Sequence, residues 1–112
     1  MDSISDSKVG TELAQQVAKV VKDYPLMDNH REYCGVGLFW HKGLKKYLYV
    51  RVFDGCADET LIEFDTEQEF IEWLASQSDE MLRGLDEENP FYRDNQRLTL
   101  ARLNEFVSKM RS

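Results

Sequence analysis

The spacing of apolar residues changes period twice along this chain, and that restricts it to a mixed architecture. Leu13, Val17, Val20, Val21 and Tyr24 recur at steps of three and four, with Ala14 and Ala18 beside them. Such spacing paints one apolar stripe on a helix from about Val9 or Thr11 to Asp23. Pro25 ends it, because the residue before a proline is driven out of helical conformation. After a polar connector, the period drops to two. Val36, Leu38 and Trp40 alternate with Gly35, Gly37, Phe39 and His41; beyond a turn around Lys42 and Gly43, Leu48, Val50 and Val52 alternate with Tyr47, Tyr49, Arg51 and Phe53. Two alternating runs joined by a short turn make a β-hairpin. Asp54-Gly55 punctuates its end, an acidic loop runs through Asp58 and Glu59, and Thr60 to Phe64 reads as a third short strand.

Helical spacing then returns. Thr66 followed three residues later by Glu69 is a capping box, with Asp65 and Gln68 as the alternative pair, directly before Phe70, Ile71, Trp73 and Leu74. That helix ends or bends near Ser76 to Ser78, and Asp79 to Arg83 form a further helical turn stopped by Gly84. Leu85 to Arg97 is a loop whose Phe91 and Tyr92 dock onto the core. Thr99 caps a last helix carrying Leu100, Leu103, Phe106, Val107 and Met110 on one face, with Leu98 and Leu103 as a hydrophobic staple. The element order predicts an α+β domain: a small antiparallel sheet of three or more strands packed with N-terminal, central and C-terminal helices. Residues 1–112 form one domain, with 1–8 as a flexible tail; 42% apolar residues over 112 positions suffice for a core without metals or multiple disulfides.

Two features go beyond what the fold requires. The hairpin is apolar or aromatic on both faces. If Leu48, Val50 and Val52 face the helices, then Phe39, Tyr47, Tyr49 and Phe53 point away and need a covering layer, a subunit or a partner. The alternative is that the terminal helices lie on opposite sides of the sheet, or that the tyrosine hydroxyls face water. The second feature is charge. Asp54 to Glu88 carries thirteen carboxylates and a single Arg in a chain whose net charge is −7. Such a block is either a solvated face or a docking surface for a basic protein. Glu69 and Glu72, three apart on a helix, share its outer side.

Other chemistry finds little support. Acidic balance disfavours nucleic acid and anionic membranes, although Lys42, Lys45, Lys46 and Arg51 on the hairpin, and Arg93, Arg97 and Arg102 near the last helix, invite comparison with single-strand RNA platforms. His30, Cys34, His41 and Cys56 have no metal-ligand spacing, no cofactor motif is present, and no nucleophile–base arrangement is encoded locally. The polar N-terminus offers no signal peptide and no segment reaches the roughly 18 apolar residues of a membrane span, so a cytoplasmic protein with Cys34 and Cys56 reduced and buried is expected.

The segments Phe70-Ile71-Glu72-Trp73-Leu74, Gln77-Ser78-Asp79, Asn89-Pro90-Phe91-Tyr92 and Asn95-Gln96-Arg97-Leu98-Thr99, within roughly Tyr33 to Val107, resemble those of small bacterial immunity proteins of contact-dependent growth inhibition and related polymorphic toxin systems. The resemblance implies a monomer or weak homodimer that binds one cognate basic toxin domain, often a nuclease such as a ribonuclease of the EndoU type, and covers its active site. It implies no catalytic residue. On this reading Asp58, Glu59, Glu63, Glu67, Glu69 and Glu72 steer and pair with the toxin, while Tyr47 and Tyr49 supply desolvated contact area. The rival expectation is a homodimeric regulatory or adaptor protein whose aromatic sheet face is the subunit contact.

Overall fold

A computed structural model of the chain describes residues 8–26, 34–53, 56–85, 92–93 and 96–111; of Cys56, Asp58, Met110 and Arg111 it describes the backbone alone. The expectations for the N-terminal tail up to Ser7, for His30 and for Phe91 lie outside the described residues. Among the described residues seven elements follow in order: α1 (Gly10–Val21), β1 (Gly35–His41), β2 (Lys46–Phe53), β3 (Cys56–Phe64), α2 (Glu67–Ala75), α3 (Asp79–Arg83) and α4 (Leu100–Arg111). The strands form one antiparallel sheet in the order β1-β2-β3, so the α+β class is as the sequence predicts.

α1 buries Ala14, Val17, Ala18 and Val21 and packs against both α2 and α4. Tyr24, assigned to the same stripe by spacing, lies past the helix end and is 53% exposed. Lys8, counted with the tail, instead bridges Ser78, and the Val9 N–H donates to the Gln77 carbonyl at 2.8 Å. The N-terminal strand of backbone is therefore pinned to the junction between α2 and α3.

α2 begins where its caps dictate. Thr66 has extended backbone angles and its Oγ1 accepts from the Glu69 N–H at 3.1 Å, satisfying one of the orphan donors of the first turn. Thr66→Ala is expected to cost about 1 kcal/mol, read as a fall in the urea midpoint; a change below a few tenths would mean the hydroxyl is idle. Ser78 caps α3 in the same way, through Met81 N–H, and Thr99 Oγ1 accepts from Arg102 N–H at 3.0 Å. Leu98 and Leu103, the staple pair, are both fully buried in the common core.

β3 is longer than the sequence suggests. It starts at Cys56, so Asp58 and Glu59 are strand residues rather than loop residues. The pairing with β2 shifts register between Tyr49 and Val50 and again between Arg51 and Val52, leaving Leu61 and Asp58 as the extra residues of two bulges. Bulges tolerate polar residues on an edge strand and bend it, which hides such a strand from a period-two reading.

The larger correction concerns which face of the sheet meets the helices. Tyr47 and Tyr49 are 0% and 2% exposed and belong to the main core with Val36, Leu38, Phe64, Phe70 and Leu74. Leu48, Val50 and Val52 point the other way and form a second small cluster joined by Phe39. The choice follows from volume and register. Trp40 opposes Tyr47, Leu38 opposes Tyr49, and across the other ladder Phe64 opposes Tyr47 and Ile62 opposes Tyr49. One face thus collects large rings from all three strands, whereas Leu48 stands opposite Glu63 and Val50 opposite Thr60. Helices cover the face with more apolar surface to bury.

Candidate functional site

The inward aromatics are stacked. Phe70 of α2 lies parallel to Tyr47 with ring centroids 4.3 Å apart, and meets Phe64 edge-on at 5.3 Å. Trp40 leans on Tyr47 at 4.8 Å, and Trp73 reaches Phe64 at 5.0 Å and Tyr49 at 6.1 Å. The Tyr47 hydroxyl donates to the Ala18 carbonyl of α1 at 2.6 Å and lies 3.2 Å from Glu67 Oε1. Burial first, then the neighbouring Glu67 charge, hold this phenol far above its ordinary pKa. Tyr47 and Tyr49 are therefore core residues, and the contact role expected of them is corrected. Of the aromatic residues assigned to the homodimer contact, Tyr47 and Tyr49 are buried in the core, whereas Phe53 is 62% exposed.

The acidic residues divide into two groups. Several are engaged within the chain. Arg51 Nη1 meets Glu59 at 2.7 Å, Lys46 Nζ meets Glu63 at 2.6 Å and Asp65 at 3.1 Å, and Lys22 Nζ meets Glu67 at 2.7 Å. The hydrogen bonds that Lys46 donates to Glu63 and then to Asp65 raise its pKa, while the Lys22 hydrogen bond, opposed by slight burial and assisted by Tyr47, lowers that of Glu67. Lys22 also stands 5.2 Å from the centre of the Trp40 ring, so one cation joins α1, α2 and β1. None of these pairs was foreseen, because their partners come from different elements. Glu59, Glu63 and Glu67 are thus partly neutralised, contrary to a wholly unpaired acidic surface.

Glu69 and Glu72 are different. Both are exposed on the outer side of α2, opposite the buried Phe70, Ile71 and Leu74, and neither forms an ion pair among the described residues. The Asp58 side chain, and Asp54 and Asp86 to Glu88, lie outside the description. What the structure brings together is a smaller anionic face: Glu69 and Glu72 free, with half-neutralised Glu63, Asp65 and Glu67 leading into the same helix.

The arginines that suggested an RNA platform have structural duties. Arg97 donates from Nε to the Tyr92 carbonyl at 3.0 Å and from Nη1 to the Arg83 carbonyl at 2.8 Å. Arg102 Nη1 donates to the carbonyls of Val36 at 3.1 Å and Arg97 at 2.8 Å. With Gln96 Nε2 donating to the Cys34 carbonyl at 2.8 Å, they tie the segment before α4 to the start of β1. Stacking platforms need outward rings, and here Tyr47 and Tyr49 face the helices. Cys34 is free and half-buried rather than buried. Among the described residues no group of three His, Cys, Asp or Glu is placed to hold a metal, and no helix is long and apolar enough to cross a membrane.

No protein-family model, no curated protein and no solved structure matches the chain.

Proposed function

We propose that this chain is a toxin-neutralising binding protein that lays the outer face of α2 over the basic active-site cleft of a nuclease-type partner. The observation that carries the reading is the pair Glu69 and Glu72, exposed and without ion pairs among the described residues, on a helix whose other face is fixed in the core. The helix that carries them is anchored through its buried face, and their charge steers a cationic partner within about a Debye length. The segments that resemble immunity proteins supply the class of partner, and the net charge of −7 supplies the long-range attraction. Glu63, Asp65 and Glu67 add to that attraction more weakly, since Lys46 and Lys22 sit among them. Inhibition then requires no chemistry from this chain, only occupation.

The direct test is co-purification with the C-terminal domain of a secreted protein encoded immediately upstream, followed by stopped-flow association. Joint reversal, Glu69→Lys with Glu72→Lys, is expected to slow association about tenfold at low salt and to flatten its salt dependence. Both positions are solvent-exposed, so the substitutions leave the buried face of α2 unchanged. Unchanged association of the folded double variant removes α2 from the interface.

A further inference from the structure

His41 ends β1 and closes the turn that follows it at residues 42–45. Two hydrogen bonds converge on this one residue: the Leu44 N–H donates to the ring nitrogen Nδ1 at 3.0 Å, and the Lys45 N–H donates to the His41 carbonyl at 2.7 Å. The second bond is independent of pH. The first is not, because an imidazole nitrogen accepts a hydrogen bond only while it carries a lone pair. Acceptance at Nδ1 therefore sets the neutral ring in one tautomer, with its proton on Nε2. The ring is bounded on two sides. Phe39 lies edge-on to it at 6.1 Å, and a Cβ at position 43 would come within 3.2 Å of His41 Cε1, so Gly43 leaves the space that the imidazole occupies.

We infer that this turn is a pH-responsive latch, closed while His41 is neutral and released at the Leu44 amide when Nδ1 takes up a proton. Protonation converts Nδ1 from acceptor to donor, and two N–H groups then face each other across the 3.0 Å that one hydrogen bond spans. They must separate. His41 is half-buried, so water reaches it, and imidazole is the side chain whose ordinary titration falls between about pH 5 and 8.

The charged surroundings act on the same step. β1 carries no other titratable side chain. Lys42 and Lys45 flank the ring within the turn, and Lys46 is its register partner on β2; Lys46 in turn holds Glu63 of β3 and Asp65 just beyond that strand. A protonated ring opposite Lys46 sets like charges across the strand pair, which adds to the loss of the acceptor, while Glu63 and Asp65 offset part of that repulsion. Opening is confined to the tip, because the Lys45 bond to the His41 carbonyl and the β1–β2 ladder do not titrate.

NMR of the labelled chain tests the latch without any partner. At about pH 8 the His41 ring should carry its proton on Nε2, and on acidification the Leu44 amide resonance should move with the same midpoint as the ring. Its protection against hydrogen exchange, corrected for the intrinsic pH dependence, should fall about fivefold across that step, the loss of one net hydrogen bond. His41→Asn offers a side-chain oxygen of capping reach that does not titrate; in that variant the Leu44 amide should hold its position over the same range, which separates the latch from general loosening in acid. His41→Phe has no acceptor, and its Leu44 amide should be unprotected at every pH while the Leu38 and Tyr49 amides of the adjoining ladder keep parental protection. A neutral ring protonated on Nδ1, a Leu44 amide indifferent to the ring's titration, a ring that stays neutral down to acid unfolding, or an Asn variant that shifts as the parent does would each overturn the latch.

Discussion

Phe70→Ala is expected to destabilise the protein by about 3–5 kcal/mol, the range for removing a fully buried phenylalanine. Phe70 is 0% exposed and fills the space between α2 and the sheet, stacked on Tyr47 and set edge-on to Phe64. Its loss leaves Tyr47 without the ring that covers one of its faces, and Trp73 and Phe64 are too constrained by each other at 5.0 Å to collapse into the gap. Domains of this size have total stabilities of about 5–15 kcal/mol, so the variant stands close to unfolding at 25 °C. Equilibrium urea denaturation checks it: with a slope of about 1–3 kcal/mol/M, the midpoint should fall by roughly 2 M. Phe70→Leu keeps much of the volume and should lose less than half as much. A cost below about 1 kcal/mol for the alanine variant would show that the aromatic stack is not what joins α2 to the sheet.

That stack also shows where sequence reasoning reaches its limit. Period-two spacing correctly separated Tyr47 and Tyr49 from Leu48, Val50 and Val52, because alternation is a local property of a pleated strand. Which set faces the helices is a property of three strands together. The deciding residues, Ile62 and Phe64, are legible as apolar members of β3, but their alignment with the tyrosines depends on a register that two bulges disturb. Caps were legible for a related reason: Thr66 with Glu69 and Thr99 with Arg102 act across a single turn, so sequence distance is also spatial distance. Lys22 with Glu67 and Arg51 with Glu59 are the opposite case. Composition revealed a surplus of carboxylates, yet only the fold determined that Glu59, Glu63 and Glu67 would be shared with cations while Glu69 and Glu72 would not. The left-handed turn residue was invisible too, since a turn sequence containing Gly43 gives no reason to place it at Lys45, where φ is 56°.

Asp79→Ala is expected to cost about 2 kcal/mol at neutral pH, more than a simple helix cap, because this carboxylate serves two helices. Asp79 Oδ1 accepts from the Leu100 N–H at 2.8 Å, an orphan donor at the start of α4, while Oδ2 accepts from Arg83 Nε at 2.8 Å within α3. Arg83 in turn offers its carbonyl to Arg97, so the carboxylate anchors the chain on both sides of the segment joining α3 to α4. Partial burial acts to raise the Asp79 pKa, but the hydrogen bonds from Arg83 and from the Leu100 N–H, with the Arg83 charge, outweigh it and lower the value. A depressed native pKa means that the stabilisation is fully present above the unfolded-state value of about 3.9 and is lost as pH falls through the native one. Asp79→Asn keeps an oxygen for Leu100 but loses the charge, so at pH 7 it should cost about 1 kcal/mol, discounted because the carboxylate is about a third exposed to screening solvent. Urea unfolding at pH 7 and down an acid pH series then separates the two contributions. The Asn penalty should shrink as pH falls through the depressed native pKa and the parent side chain takes up its proton, whereas the Ala penalty should shrink only in part, because the uncharged acid still accepts from Leu100. An Asn penalty constant along that series would assign the effect to shape rather than charge, and Arg83 would then hold α3 without help from its salt bridge.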